Sequence, residues 1–200
     1  FDPQKDFAPV STLGTFDLAV LVGEASRFAS ITELLAFARA NPGRLNVGTI
    51  NIGSTQHLAA ELLKTSAGLD FQVVPFNGSP AVLNALRGGQ IDASVEILGP
   101  MLPQIASKAL RPLAVLGSQR ASTLPATPTL AEAGVRGFHI ASWNALAVPA
   151  RTPRDTVALL HRQVQAALGA PEVRKRLEAL NVQPAGGTPE QLAALLGSEI

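Results

Sequence analysis

The strongest constraint on the fold is a pattern in which an apolar segment, a glycine-containing loop and a helix-like segment follow one another. The pattern first occurs at residues 48–57, where the sequence is GTINIGSTQH, and a helix-like segment follows at 58–63. It occurs again where the strand-like segment 71–75 meets the loop 76–80 and the helix-like segment 81–87. Strands that alternate with helices in this way predict an α/β fold with mainly parallel sheets.

Both loops carry groups that suit the binding of an anion. Glycine lets the backbone turn tightly and approach a ligand, so Gly53 is a candidate contact residue. We expect Ser54 or Thr55 to cap the first helix and Ser79 to cap the second, with Pro80 at the first helical position. The remaining first-turn N–H groups and the helix dipole attract negative charge. Two such loops therefore predict a cleft for a small anion.

Seven short motifs occur along the chain in an order typical of one protein family. They are DPQKDF at 2–7, GSTQH at 53–57, PFNGSPA at 75–81, QID at 90–92, LPATPT at 124–129, AEAG at 131–134 and SWN at 142–144. In the order and spacing of these motifs, essentially the whole chain resembles the Bug/TctC family. The members of this family are the extracytoplasmic solute receptors of tripartite tricarboxylate transporters.

The β–α repeats divide the chain into two predicted domains. The complete repeats fall within residues 22–115, which we expect to form the second domain, and residues 1–21 plus 116–200 are expected to form the first. Two chain crossings between domains create a hinge, which suits closure over a ligand. The resemblance implies the same layout, a type II periplasmic-binding-protein-like α/β fold with two mainly parallel domains.

The resemblance also implies that the first domain is incomplete. Family members normally begin well before the DPQKDF motif, and the preceding part carries a signal peptide, the first strand and the first ligand loop. The chain is therefore expected to be a fragment that lacks the N-terminal part. Such a fragment is expected to bind its ligand weakly or not at all.

The ligand contacts are also inferred from the resemblance. His57 matches a family motif and is expected to orient the first loop more than to touch the ligand. Asn77 stands where the family often has Lys or Arg, so neutral N–H donors must do more of the binding. The expected ligand-binding residues are Gly53, Ser54, Thr55, His57, Asn77, Gly78, Ser79, Pro80, Asp92, Trp143 and Asn144.

Two of these candidates, and a third residue close to one of them in the sequence, have more than one interpretation. Asp92 and Glu96 are expected on one strand and on the same side of it, where paired carboxylates could do acid–base chemistry. We expect instead that one of them fixes a loop and that the other faces solvent or contacts a ligand ammonium group. Trp143 is the only tryptophan and is either a core residue or part of the cleft wall, and the resemblance favours the cleft.

The composition excludes several other classes of function. The chain has no cysteine and three scattered histidines, so neither a metal site nor a cofactor is expected. A net charge of +1 provides no electrostatic basis for binding nucleic acid or an anionic membrane. No apolar run approaches the about 18 residues needed to span a bilayer. The loop at 48–55 resembles a phosphate-binding loop, but Ser54 occupies the lysine position, which disfavours nucleotide hydrolysis.

These observations predict a periplasmic solute-binding receptor that captures a small carboxylate in an interdomain cleft and catalyses no reaction. The ligand is expected to be a dicarboxylate or tricarboxylate, an acidic amino acid or an aromatic acid. The expected partners are membrane transporter subunits or a sensor, and the chain itself is not expected to be membrane-embedded. Two alternatives stay open: an enzyme that acts on an organic acid through Asp92, Glu96 or His57, and an interaction domain without a ligand.

Overall fold

The structure is a computed structural model that describes residues 2–199. The strands are β1 (Phe7–Phe16), β2 (Leu18–Gly23), β3 (Asn46–Ile50), β4 (Gln72–Phe76), β5 (Ala93–Ile97), β6 (Leu110–Val115), β7 (Ser142–Pro149) and β8 (Val182–Pro184). The helices are α1 (Ile31–Ala40), α2 (Thr55–Ser66), α3 (Ser79–Arg87), α4 (Leu98–Ala106), α5 (Arg154–Gly169), α6 (Pro171–Ala179) and α7 (Pro189–Glu199). By contact, Asp17–Ser142 forms one compact unit, and the chain on either side of it forms another.

The Asp17–Ser142 unit, called the middle unit below, contains a five-stranded sheet with the strand order β4-β3-β5-β2-β6. β3 pairs in parallel with β4 and β5, whereas β2 pairs antiparallel with β5 and β6. Four strands therefore run in one direction, and β2 runs against them. The predicted α/β class is confirmed, and the single reversed strand makes the sheet mixed.

Helices cover both faces of this sheet and bury a core on each. Along β2, Leu18, Val20 and Val22 enter one core and Ala19 and Leu21 enter the other, because successive side chains of a strand point to opposite faces. Helices α1 and α2 supply the first core, and α3 and α4 supply the second. The sheet is thus buried on both faces, which leaves its edges and the strand ends for function.

By contact, the middle unit is longer than the predicted domain of residues 22–115. It includes residues 17–21 because β2 pairs with both β5 and β6. It also includes residues 116–142, because Thr129 forms a parallel bridge with Val115 and apolar side chains of this segment enter the first core. Non-local strand pairing therefore decides which segments join this unit.

Two predicted helices differ from the observed structure. Helix α4 begins at Leu98 and includes Pro100, whereas the sequence predicts a break at Pro100 and a helix over 103–108. Proline is tolerated here because the first helical turn has no acceptor for its N–H groups. The sequence also predicts a brief helix over 129–134 with a glycine stop, but this segment is a turn, which ends at Gly134 with φ of 97°.

The other unit is built around β1, which lies between β7 and β8 in a three-stranded sheet. Its helix α5 is tied to β1 by polar contacts. Nδ1 of His161 lies 3.1 Å from the carbonyl oxygen of Val10, and Nε2 of Gln165 donates to Oγ of Ser11 at 3.3 Å. Across residues 2–199, no helix combines the length and apolar character needed to cross a membrane.

Candidate functional site

Three helix N-termini lie at one edge of the sheet in the middle unit. β3, β4 and β5 run in the same direction, so their carboxyl ends meet at that edge. Helices α2, α3 and α4 each begin within a few residues of the end of one of these strands. In open α/β sheets, ligands bind outside the carboxyl ends of the strands. This edge is therefore the candidate site.

The first loop forms the capped helix N-terminus that the sequence predicts. Ser54 is the N-cap of α2, and its Oγ accepts the N–H of His57 at 3.1 Å. Gly53 has φ of 81°, a conformation that glycine adopts without strain. Within residues 2–199, the N–H groups of Thr55 and Gln56 have no acceptor. Two donors at the positive end of a helix are thus available to an anion.

The second loop differs from its prediction. The N-cap of α3 is Gly78, with φ of 88°, and no side chain caps the helix. The prediction that Ser79 caps it is wrong, because the turn at Gly78 brings Ser79 into the first helical position, with Pro80 after it. The N–H of Ser79 has no acceptor in the described part of the chain, and Asn77 before the turn is exposed.

Glu96, near the end of β5, joins the two loops. Its side chain is 0% exposed, and its Oε2 accepts from Oγ of Ser79 at 2.9 Å and from Nε2 of Gln56 at 3.5 Å. Burial raises the pKa of this carboxyl, and the hydrogen bonds from Ser79 and Gln56 oppose the rise. One carboxyl group therefore contacts the first turns of both α2 and α3.

Gln56 is absent from the predicted contact residues although it belongs to this cluster. It is 3% exposed and precedes the buried residues Ala60 and Leu63 by four and seven positions, so all three lie on the core-facing side of α2. A buried amide needs a hydrogen-bond partner. A polar residue on the apolar face of a predicted helix was therefore the signal that could have identified Gln56.

Buried polar atoms without hydrogen bonds concentrate in the same region. Among the described residues, four such side-chain atoms occur: Oγ1 of Thr49, Nδ1 of His57, Oγ of Ser94 and Oε1 of Glu96. They belong to β3, to β5 and to the first turn of α2. Buried polar atoms in proteins normally have partners, so this part of the middle unit is suited to a polar ligand.

Asp92 lies away from these loops and is not paired with Glu96. β5 begins at Ala93, so Asp92 precedes the strand at the opposite edge of the sheet, about 13 Å from Glu96 along an extended chain. Its Oδ2 accepts the N–H of Asn46 at 2.9 Å, and its Oδ1 lies 3.5 Å from Nη2 of Arg27. Asp92 therefore fixes the chain at the start of β3.

A cavity of about 560 Å³ lies at this opposite edge and is lined by Arg27, Phe28, Arg87 and Asp92, among others. The guanidinium carbon of Arg27 lies 3.9 Å from the ring centre of Phe37, and the group also pairs with Asp92. Arg87 is hydrogen-bonded to Gln104. Both cations that line the cavity already have partners, so the cavity is less suited to an anion than the helix N-termini are.

The remaining candidates lie in the other unit. Trp143 is half-buried and Asn144 is exposed, both on β7, and their contact with a ligand stays a prediction. Within residues 2–199, no group of three or more His, Asp or Glu side chains is arranged to hold a metal ion. The site therefore consists of neutral donors around one buried carboxyl group.

Comparison with known families links this chain to transport receptors. The family model TctC, described as the tripartite tricarboxylate transporter family receptor, matches residues 1–200. The UPF0065 protein in the tcbD-tcbE intergenic region of Pseudomonas sp. (strain P51) is 36% identical over 200 residues, and protein BugT of Bordetella pertussis is 33% identical over 197. These matches cover 100% and 98% of the chain, which spans 60% of the length of either relative.

Solved structures show the same similarity in three dimensions. R. palustris Rpa4515 with adipate superposes with a TM-score of 0.92 at 34% identity, covering 100% of this chain and 67% of that one. MatC (Rpa3494) from Rhodopseudomonas palustris with bound malate has a TM-score of 0.89 at 30% identity and covers 100% and 69%. The fold of the chain is therefore similar to that of proteins solved with small dicarboxylates.

Proposed function

Because the chain belongs to the tripartite tricarboxylate transporter receptor family, we propose that the protein is a periplasmic receptor that captures a small carboxylate without catalysing a reaction. The family relationship and the type II periplasmic-binding-protein-like fold predicted from the motifs are confirmed. In the proposed role the receptor delivers its ligand to membrane transporter subunits or to a sensor. Capture between two domains stays a prediction.

The arrangement of backbone donors supports a carboxylate as the ligand. The N–H groups of Thr55, Gln56 and Ser79 lack acceptors within residues 2–199 and lie at the starts of two helices that meet on Glu96. The positive ends of helix dipoles favour a negative charge at such donors. The observation that carries this proposal is that the first turns of two helices, both with N–H groups that lack acceptors, contact one buried carboxyl group.

The predicted contact residues take different parts in this proposal. Gly53 and Gly78 shape the turns, and Ser54 acts through the cap that it forms with the N–H of His57. Asp92 has no part, since it lies at the other edge of the sheet. The residues that stay with the proposed binding surface are Gly53, Ser54, Thr55, His57, Asn77, Gly78, Ser79 and Pro80, together with Trp143 and Asn144 as predictions.

The similar proteins narrow the class of carboxylate that we propose as the ligand of this protein. The structures of Rpa4515 and MatC were solved with adipate and malate, which each carry two carboxylate groups. A small dicarboxylate is therefore the ligand we propose first. Citrate, acidic amino acids and aromatic acids stay in the set to be tested.

A thermal-shift panel on the full-length receptor tests this function. Adipate, malate, citrate, aspartate, benzoate and glucose are compared, and the dimethyl ester of adipate serves as an uncharged control. We expect a carboxylate to raise the melting temperature, since a ligand at about 100 times its Kd stabilises the folded state by about 2.7 kcal/mol. Stabilisation by glucose or by the ester alone would contradict the proposal.

Measuring the ligand after incubation with the protein distinguishes a receptor from an enzyme. The best-binding carboxylate is incubated with the protein and then measured by proton NMR. We expect the ligand to be recovered unchanged. Consumption of the ligand that depends on the protein would support an enzyme instead.

A further inference from the structure

One oxygen of Glu96 is engaged and the other is not. Oε2 accepts hydrogen bonds from Ser79 and Gln56, whereas the buried Oε1 has no partner. Because Ser79 and Gln56 belong to the first turns of α3 and α2, the carboxyl group lies between the two helix N-termini. Its unpartnered oxygen is thus a buried polar atom beside the first turns that carry the N–H groups proposed to bind the ligand.

Two negative charges at this place would repel each other. An ionised Glu96 already interacts with the first turns of both helices, and the approach of a ligand carboxylate would add a second like charge. Carboxylates that share a site disfavour double ionisation, so one of them keeps a proton. We propose that Glu96 takes up one proton when a carboxylate ligand binds, and that its protonated Oε1 then donates a hydrogen bond to that ligand. The inference rests on the proposed carboxylate-binding function.

The proton balance of the step is simple. The ionised Glu96, one proton from the solvent and the ligand carboxylate together form a neutral carboxylic acid hydrogen-bonded to an ionised carboxylate. No other bond forms or breaks. Burial raises the pKa of the Glu96 carboxyl, so the free energy needed to protonate it at a given pH is smaller.

The surroundings of Glu96 offer no cation that would favour its ionised form. β2, β3 and α4, which pack against β5, carry no titratable side chain. In α2 the titratable groups are His57, Glu61 and Lys64, and in α3 the only one is Arg87. Lys64 and Arg87 lie in the last turns of their helices, away from the first turns that Glu96 contacts.

Three further titratable groups complete the electrostatic setting. His57 lies in the first turn of α2 and its Nδ1 is buried without a partner, so it is the main rival source of a proton-linked effect. Asp17 immediately precedes β2, and its carbonyl oxygen accepts the N–H of Leu98 at the start of α4. Asp92, as described above, lies at the other edge of the sheet. A test must therefore separate Glu96 from His57.

Isothermal titration calorimetry of the full-length receptor between about pH 5.5 and about pH 8.5, in two buffers of different ionisation enthalpy, measures the protons exchanged on binding. The probe is adipate, or the carboxylate with the largest shift in the thermal panel if adipate has none. We expect proton uptake that rises towards one per site, with an affinity that falls by up to about tenfold per pH unit above the pKa of Glu96.

Two variants identify the residue that takes up the proton. Glu96→Gln keeps an acceptor for Ser79 and places an amide donor where the protonated Oε1 would be, so we expect it to bind the probe without proton uptake and with little pH dependence. His57→Gln is the matched control and should keep the proton uptake. Loss of uptake in His57→Gln but not in Glu96→Gln would assign the proton to His57 and overturn the inference.

The remaining outcomes separate the inference from the proposed function. Tight carboxylate binding with no proton exchange, or with proton release, would overturn the role of Glu96 and leave the receptor function in place. A Glu96→Gln variant that is folded but no longer binds would show that an ionised acceptor is needed, which also overturns the inference. Failure of every carboxylate in the panel to bind would overturn both.

Discussion

Oγ of Ser79 donates a hydrogen bond of 2.9 Å to Oε2 of Glu96 and so ties the first residue of α3 to the end of β5. Because Glu96 is 0% exposed, water does not replace this bond when it is lost. The other donor to the same oxygen, Nε2 of Gln56, lies 3.5 Å away. The bond therefore both stabilises the buried carboxyl group and positions the helix N-terminus.

Replacing Ser79 tests this relationship. Ser79→Ala should lower the free energy of unfolding by about 1–3 kcal/mol, because a buried carboxyl oxygen loses its shorter hydrogen bond. Urea denaturation followed by circular dichroism measures the change. Ser66→Ala, at an exposed position at the end of α2, is the control and should stay within about 0.5 kcal/mol of the parent protein. Equal stabilities of the two variants would show that the Ser79 bond contributes nothing.

Ser54 should affect stability through a different mechanism. Ser54→Ala removes the acceptor for the N–H of His57, and loss of an N-cap typically costs about 0.5–2 kcal/mol. Ser54→Asn retains a capping side chain and should recover most of that loss. Chemical denaturation of both variants checks this, and an Ala variant as stable as the Asn variant would contradict a capping role.

The pH dependence of stability should reveal Glu96 without any ligand. Burial raises its folded-state pKa above the value of 4.5 for an exposed glutamate, so the folded state holds the proton more tightly than the unfolded state. Stability should therefore fall as the pH rises from 4.5 through the folded-state pKa. Glu96→Gln has no such group, so the parent protein should lose stability relative to it across this window. Denaturation curves over a pH series measure the difference, and a constant difference would contradict the prediction.

Gly48 should be required for packing rather than for binding. A Cβ at this position would collide with Cδ1 of Ile91 and lie 3.4 Å from side-chain atoms of Phe76 and Val82. Gly48→Ala should thus cost about 1–3 kcal/mol through overpacking. Gly169→Ala, where nothing lies within 4 Å of the added Cβ, is the control. A Gly48 variant as stable as its control would mean that the core adapts freely.

Trp143 should report ligand binding by fluorescence. It is the only tryptophan and is half-buried, so its emission is sensitive to changes in its surroundings. In the full-length receptor, saturating adipate should change the intensity or wavelength of this emission, while glucose should not. An unchanged spectrum with a carboxylate that binds by calorimetry would return Trp143 to the alternative role of a core residue.

The parts of the fold that depend on neighbouring residues could be predicted from the sequence. Ser30 caps α1, with the N–H of Glu33 donating to its Oγ at 3.2 Å, and Ser54 caps α2 across the same interval of three residues. Both contacts lie within one helical turn, so the residue types in one short segment determine them. The order of strands and helices could also be predicted, because each element depends on the residue types within its own segment.

Strand boundaries were harder to predict, with direct consequences for the site. The strand predicted to begin at Ile91 begins at Ala93 and leaves Asp92 outside it. Residues four positions apart in a strand can share a side, but they lie about 13 Å from each other along the chain. A shared side therefore did not bring Asp92 and Glu96 together.

By itself, the sequence determined the family, the α/β class and the two loops at which helices begin, because each of these depends on local patterns of residue types. Only the tertiary structure decided that Glu96 receives hydrogen bonds from Ser79, 17 residues before it, and from Gln56, 40 residues before it. These contacts depend on the pairing of β3 with β5 and on the packing of helices against opposite faces of the sheet. Such long-range geometry has no signature within any one segment, since it arises only when distant strands come together.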